Sequence, residues 1–197
     1  MKIATSRHVD PSRSTYERDG WVVAPAVLTP GESESVIAAH AQRQWPIVTD
    51  EIREWIADER WVASLEPLLG NGGRFVREQL LTKAPNADTR VPWHQDAAYV
   101  EAAAGALVTI FVALEPIDEH NGCLRMQRGS HRQGPIEHRP SGYVLEAVET
   151  PADDGVCVPL GQGDAVIFSS SLLHQSLANR TATLRRAWML QFHIGGE

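Results

Sequence analysis

Beyond Gly70-Asn71-Gly72-Gly73 the chain changes texture, and the change limits the folds open to it. RFVREQLLTK (74–83), VPWHQDAAYV (91–100), ALVTIFVALE (106–115), GCLRMQRGSH (122–131), DGVCVPL (154–160), DAVIFSS (164–170) and RRAWMLQFHI (185–194) are short and rich in β-branched and aromatic residues. Pro, Gly, Asn and Asp turns separate them, so they read as strands. Strands in such a run bury their apolar faces by closing into a barrel or by stacking two sheets. Helical intervals between them are absent, which argues against a doubly wound parallel sheet, because parallel neighbours need a crossover of a dozen or more residues. The expected architecture is mainly β with flanking α: a jelly roll with helices packed on one side.

The first 70 residues supply those helices. Residues 1–14 are polar and aperiodic, the pattern of a loose terminus. YERDGWVVAPAV, from Tyr16, places an Asp-Gly turn before a β-branched run and predicts a strand. Thr29-Pro30-Gly31-Glu32 combines a hydroxyl cap, a proline at the first helical position and a carboxylate three residues after the cap, so a helix starts there and runs towards Trp45. A second helical period spans Glu51 to Leu69. We therefore expect one domain over residues 1–197, with strand plus helices over 16–70 and the jelly-roll core over 74–194.

Hydrophobic residues make up 43% of the 197, enough for a core that needs neither disulfide nor metal, so a bound metal is free to serve chemistry. The formal net charge is −7 and no run of Lys or Arg tracks a phosphate backbone, which argues against nucleic acid as a partner. Cys123 and Cys157 lack metal-ligand spacing and the first residues lack the apolar stretch of a signal peptide, so a reducing cytoplasm is the expected setting. The apolar stretch Ala102 to Leu114 is broken by Gly105 and Thr109 and falls short of a membrane span of about 20 residues. No feature specifies an oligomeric state.

His94-Gln95-Asp96 is a His-x-Asp, and residues two apart on a strand point to one face, where imidazole and carboxylate can converge on an ion. His8-Val9-Asp10 has the same pattern but lies in the polar terminus, where nothing rigid holds a ligand. A facial triad needs one more imidazole from another strand. His174 follows an apolar, serine-rich strand and precedes the turn Asn179-Arg180-Thr181. His120, His131 and His138 lie in charged, turn-like surroundings, and His40 and His193 suit helix-surface and strand positions.

The string YERDGWVVAPAVLTPGE, then WHQD with Tyr99, ALEPIDEHNGCL, RGSH, GQGDAVIF, LLHQSLAN and LRRA, resembles in content and order the motifs of the phytanoyl-CoA dioxygenase family, over residues 16 to 192. The resemblance implies a double-stranded β-helix, cupin-like, and oxidation of unactivated C–H bonds with Fe(II), O2 and 2-oxoglutarate. By the same carry-over His94, Asp96 and His174 are the iron ligands, and Arg185 in LRRA pairs with the far carboxylate of 2-oxoglutarate, a bidentate task lysine cannot reproduce. Arg186, next on the strand, faces the other way. Ser176 and Thr109 match hydroxyl positions that bond the co-substrate, and Phe111 packs beside it. Lys83, Trp93 and Tyr99 are candidates for the substrate side, and Gly122 and Gly163 serve turns.

Two departures stand out. The family's Pro-Gly-Ser-His is Arg128-Gly129-Ser130-His131 here, so Arg128 faces a substrate or water. The Gly105 and His131 to Gly155 regions leave little room for a large lid, which makes a small metabolite a better expectation than a CoA thioester. The aspartate at 96 favours hydroxylation, since halogenating relatives carry a small residue there. Desaturation, epimerisation or cyclisation at the same iron, an idle jelly roll that binds a metabolite, and a metal cupin without 2-oxoglutarate are the rival readings.

Overall fold

A computed structural model describes residues 13–41, 68, 73–100 and 106–194. Helix α1 (Arg13–Asp19) precedes strand β1 (Trp21–Ala24), and α2 (Pro30–Ala41) follows it. Arg13 and Ser14, expected in the loose terminus, are thus helical. At Thr29 the capping box forms as expected: the Thr29 amide and hydroxyl donate to Glu32 Oε2 at 2.7 and 2.8 Å, and the Glu32 amide donates to Thr29 Oγ1 at 3.2 Å. Thr29→Ala is expected to cost about 1 kcal/mol, seen as a lower denaturant midpoint at unchanged slope. An unchanged midpoint would remove the cap from the account. The extension of α2 towards Trp45, the His8/Asp10 pair and the helix from Glu51 lie outside the described residues, except Leu68, which is helical and packs on the core.

Ten strands follow: β2 (Arg74–Lys83), β3 (Val91–His94), β4 (Leu107–Ala113), β5 (Leu124–Met126), β6 (His138–Ser141), β7 (Val144–Ala147), β8 (Val156–Val158), β9 (Ala165–Ser169), β10 (His174–Ser176) and β11 (Arg185–His193). One sheet runs β1-β9-β4-β11-β2 and the other β3-β10-β5-β8, with every pairing antiparallel. The two sheets face each other as the jelly roll requires. β4 shows why its sequence is apolar save for Thr109, the one polar side chain it turns to the pocket. Val108, Ile110 and Val112 pack outward with Trp188 and Val36 of α2, while Phe111 and Ala113 pack inward with Met126 and Phe168. A strand buried on both faces has no polar side to alternate.

Three local expectations are corrected. VPWHQDAAYV is a strand only to His94, and Asp96–Tyr99 is a 3-10 turn, so His94 and Asp96 do not share a strand face. β6 and β7 form a separate hairpin over residues 138–147, in the region read as too short for a lid; HRPS and VLEA lack the alternation that would have marked them. Arg128 faces neither a substrate nor water alone: it pairs with the buried Asp19 and lies 5.2 Å over the Trp21 ring, fastening the turn after β5 to α1. Cys123 and Cys157 meet as a disulfide with a Cα separation of 6.6 Å. Gly163 is confined by packing as well as by its turn, because its φ is +81° and a Cβ there would lie 2.0 Å from the Leu28 carbonyl oxygen. Among the described residues no helix is long and apolar enough to cross a membrane.

Candidate active site

Strand alternation sets one face of the five-stranded sheet towards the opposing sheet. Arg77, Gln79, Leu81 and Lys83 of β2, Thr109 and Phe111 of β4, and Arg185 and Met189 of β11 line a pocket of about 470 Å3. That volume lies within the range of roughly 300–1,000 Å3 usual for small-molecule sites. His94, Asp96, Tyr99, His174 and Ser176 close its other wall, and Tyr143 and Val144 of the β6–β7 hairpin reach its mouth.

His94, Asp96 and His174 come together in this pocket, all buried, with one ligand atom of each within 4.8 Å of the others. Asp96 Oδ1 lies 3.5 Å from His94 Nε2 and 3.6 Å from His174 Nε2. β10 pairs with β3 so that His174 lies opposite His94, and the two rings are 4.1 Å apart. The His94 and His174 Nδ1 atoms bond the carbonyls of Pro92 (2.8 Å) and Leu172 (3.0 Å), which fixes the tautomer and leaves each Nε2 lone pair facing the cluster. Burial, reinforced by the His94 charge, pushes the His174 imidazole down to about 4, so it is neutral and ligand-competent near pH 7. Burial raises the Asp96 pKa, but the charges of His174 and His94 and bonds from His94 and Thr109 hold it well below the usual carboxylate range.

The outer oxygen of Asp96 is already occupied. Thr109 Oγ1 donates to Oδ2 at 2.6 Å, and Gln191 Nε2 donates to the same oxygen at 3.2 Å and to Thr109 Oγ1 at 3.1 Å. Thr109 was expected to bond the co-substrate; its only hydroxyl proton goes to Asp96, which casts it as an orienting group for that carboxylate. Thr109→Val should therefore lower metal affinity by about 10- to 100-fold at nearly unchanged fold, by calorimetry with a divalent ion. Equal affinity in the two proteins would remove Thr109 from the site.

Arg185 and Lys83 mark the opposite end. They are register partners on β11 and β2, and like charges directly opposite on neighbouring strands repel. Arg185 is 3% exposed and Lys83 4%. Among the described residues Arg185 Nε and Nη1 have no partner, and Nη2 has only the Gly122 carbonyl at 3.5 Å. Glu115, the carboxylate whose charge reaches Arg185, is committed to Arg186, whose Nε donates to Glu115 Oε1 at 2.5 Å on the other face of the strand. Burial pushes the Arg185 guanidinium down to about 10, against the pull of Glu115. Burial and then the Arg185 charge push the Lys83 ammonium down to about 8, while its Nζ donates to the Thr89 carbonyl. Gly122 gives way to this pair: a Cβ there would lie 2.8 Å from Lys83 Cδ, and its φ is +89°. Two buried cations side by side, with no counter-charge bonded to either among the described residues, form a receptor for an anion.

The remaining expected residues divide. Phe111 lies beside Arg185, whose Cζ is 5.8 Å from its ring centroid. Tyr99 stacks edge-on against His94 at 5.7 Å, and its hydroxyl accepts the Leu145 amide at 2.7 Å, tying the hairpin to the ligand turn. Trp93 does not line the pocket. It neighbours His94 on the strand, so it faces away and packs with Ala147 and Leu173.

Two structural partners escaped the sequence reading. Gln191 holds Asp96 from beneath, and Gln95 braces the loops behind the metal ligands, donating to Gly134 O (3.0 Å) and Ser171 O (2.7 Å) and accepting the Ile136 amide (2.9 Å). A glutamine inside the apolar run WMLQFHI, in phase with Arg185, was the available signal for Gln191.

A sequence profile of the family described as phytanoyl-CoA dioxygenase (PhyH) matches residues 37–187, more than half of the chain. The chain belongs to the phytanoyl-CoA dioxygenase family. It is 29% identical over 145 residues to the 2-aminoethylphosphonate dioxygenase of the uncultured bacterium HF130_AEPn_1, covering 72% of this chain and 54% of that protein. It is 28% identical over 163 residues to the peroxisomal phytanoyl-CoA dioxygenase of Rattus norvegicus, covering 75% and 47%. The chain thus spans about half the length of these curated relatives. Among solved structures, the non-heme alpha-ketoglutarate-dependent epimerase SnoN from nogalamycin biosynthesis superposes with a TM-score of 0.75 at 25% identity, over 92% of this chain and 81% of that one. EvdO2 from Micromonospora carbonacea var. aurantiaca, complexed with 2-oxoglutarate, has a TM-score of 0.78 at 20% identity over 99% and 94%, which speaks to the fold.

Proposed function

We propose that this chain is a single oxygenase domain of a non-heme Fe(II)/2-oxoglutarate-dependent dioxygenase that hydroxylates a small-molecule metabolite. The observation that carries the reading is the pairing of two features in one pocket: a His-Asp-His cluster with its Nε2 and Oδ1 atoms converging, and beyond it the adjacent buried cations Lys83 and Arg185, the latter with Nε and Nη1 unbonded. The donor set fits a facial iron site, with two imidazoles and one carboxylate on one side. The orphaned guanidinium fits the far carboxylate of a keto diacid. When bound, iron and 2-oxoglutarate supply the oxidising chemistry with O2, and the co-substrate leaves as succinate and CO2.

The chain's own groups perform the remaining tasks. His94 and His174 would hold the metal through Nε2, and Asp96 through Oδ1, while Thr109 and Gln191 keep the carboxylate from rotating. Arg185 and Lys83 would orient the co-substrate, with Phe111 along its flank. Phe168, Leu124 and Met189 keep water from the interior of the pocket, and Tyr99 holds the β6–β7 hairpin at the mouth.

Because Lys83 stands near 8 in the free site and an anion beside it would raise that value, binding takes up a proton only above about pH 8. Affinity for 2-oxoglutarate is therefore expected to be level from pH 6.5 to about 8 and to fall above it, by at most about tenfold per unit. Calorimetry at pH 7, 8 and 9 checks this; a level profile to pH 9 would detach Lys83 from the co-substrate.

A second outcome at the same iron, epimerisation, draws support from the SnoN likeness at 25% identity. Mass spectrometry of products formed from a metabolite extract with 2-oxoglutarate and O2 decides between them. A gain of one oxygen supports hydroxylation, an unchanged mass with inverted stereochemistry supports epimerisation, and succinate formation in neither case would count against both. The pocket volume favours a small metabolite over a CoA thioester. A cytoplasmic setting is part of the same proposal, and there the Cys123–Cys157 bridge seen in the structure would be reduced to two thiols. Alkylation of protein drawn from a reducing cytosol should then modify both, and an intact bridge would argue for an oxidising compartment.

A further inference from the structure

β2, which carries Lys83, carries a second cation on the same face. Arg77 and Lys83 both line the pocket, six residues apart, which is about 20 Å along an extended strand. The metal-ligand cluster adjoins the Arg77 end. Arg77 Nε donates to Gln191 Oε1 at 2.7 Å, and Gln191 Nε2 donates to Asp96 Oδ2 at 3.2 Å. A bulge fixes this placement: the β2–β11 pairing steps from Gln191↔Arg77 to Phe192↔Phe75, so Val76 is skipped. Phe75 turns to the outer core, against Phe192 at 5.7 Å, while Arg77 stays on the pocket face.

Arg77 has no counter-charge among the described residues. Its neighbour Glu78 points to the opposite face, where it accepts from Trp188 Nε1 and pairs with His40 Nε2 at 2.8 Å. Asp96 Oδ2 is filled by Thr109 and Gln191, and Oδ1 faces the two imidazoles. The other rim cation, Arg90, pairs with Asp88 at 3.2 Å. Among the described residues Asp96 is the only carboxylate lining a pocket that also presents Arg77, Lys83, Arg90 and Arg185, in a chain whose net charge is −7. A positive pocket in an acidic protein is a property of the site, not of composition.

Resting on the Fe(II)/2-oxoglutarate reading, we propose that Arg77 is a specificity-determining residue that binds an anionic group of the substrate, a carboxylate or a phosphonate. Arg185 and Lys83 take the far carboxylate of the co-substrate on one side of the metal centre, and Arg77 takes the substrate's anion on the other. Gln191 anchors the guanidinium through Nε and leaves both Nη atoms for a forked bond to two oxygens. The same glutamine holds Asp96, so the distance from the anion to the metal is set by one side chain. A neutral substrate would leave a half-buried guanidinium bonded only to the neutral Gln191 among the described residues, without a counter-charge.

Anaerobic Fe(II)-loaded protein is first titrated with 2-oxoglutarate, then calorimetrically with methylphosphonate and butanoate and with their uncharged counterparts, dimethyl methylphosphonate and butanamide. In wild type each anion is expected to bind at least about tenfold more tightly than its neutral counterpart, and Arg77→Met should bring that ratio to within about twofold. A ratio near one in wild type, or a ratio that Arg77→Met leaves intact, overturns the proposal. A purely structural Arg77 would weaken charged and neutral probes alike and leave the ratio intact. Arg77→Gln carries the same test should the Met variant not fold. If 2-oxoglutarate itself fails to bind wild type, the functional reading falls, and the four probes titrated into metal-loaded protein alone still decide the role of Arg77.

Discussion

Arg185→Met is expected to raise the thermal midpoint of the ligand-free protein while removing its affinity for 2-oxoglutarate. Arg185 is 3% exposed, faces Lys83 across the strand pair and leaves Nε and Nη1 without acceptors. An uncompensated buried charge is destabilising by several kcal/mol, and a Met of similar length fills the space without the charge. A gain of even about 1 kcal/mol moves the midpoint of a protein of this size by about 2–4 °C. In the other direction, loss of one partner of a buried, bonded charge pair costs about 2–5 kcal/mol, a weakening of roughly 30- to 4,000-fold. Opposite signs for stability and binding are the mark of a site that keeps strain for its ligand. A lowered midpoint would mean that Arg185 is satisfied without a ligand; unchanged affinity would move the co-substrate elsewhere.

His174→Ala should weaken Fe(II) binding by more than the roughly 10- to 100-fold typical of losing an outer partner, since a donor to the metal itself is removed. The imidazole packs against His94 at 4.1 Å and Phe168 at 4.7 Å, so truncation also leaves a small void, expected to cost about 1–3 kcal/mol without altering the far-ultraviolet circular dichroism. His120→Ala, in an exposed turn, is the control and should bind iron as wild type does. Equal iron affinity in His174→Ala and wild type would dissolve the triad.

Much of this was legible because two signals are local. Short apolar runs bounded by turn residues mark β2 at its observed bounds and β11 to within one residue, and the Thr29 cap is written in four consecutive residues. Turns defeat such local reasoning at the site. WHQD reads as continuous strand, yet the backbone leaves β3 after His94 because Asp96 must turn inward to meet an imidazole from β10, a demand set by a partner about 80 residues away. Trp93 was misplaced for a related reason: proximity to a ligand in sequence says nothing about which strand face a residue takes. Thr109 was expected to bond the co-substrate, because the bond it makes to Asp96 spans two elements and leaves no local signal. Arg77 escaped because a strand arginine looks the same in sequence whether or not a carboxylate waits beside it.

The most direct test of the central claim is anaerobic titration of Fe(II)-loaded protein with 2-oxoglutarate, followed by the weak visible charge-transfer band of a keto acid chelated to iron. The account predicts a saturable band in wild type, its loss in His174→Ala, and a strongly raised half-saturation in Arg185→Met. A folded, iron-replete protein that shows no band at any concentration of 2-oxoglutarate would contradict it and leave the jelly roll as a scaffold with other chemistry.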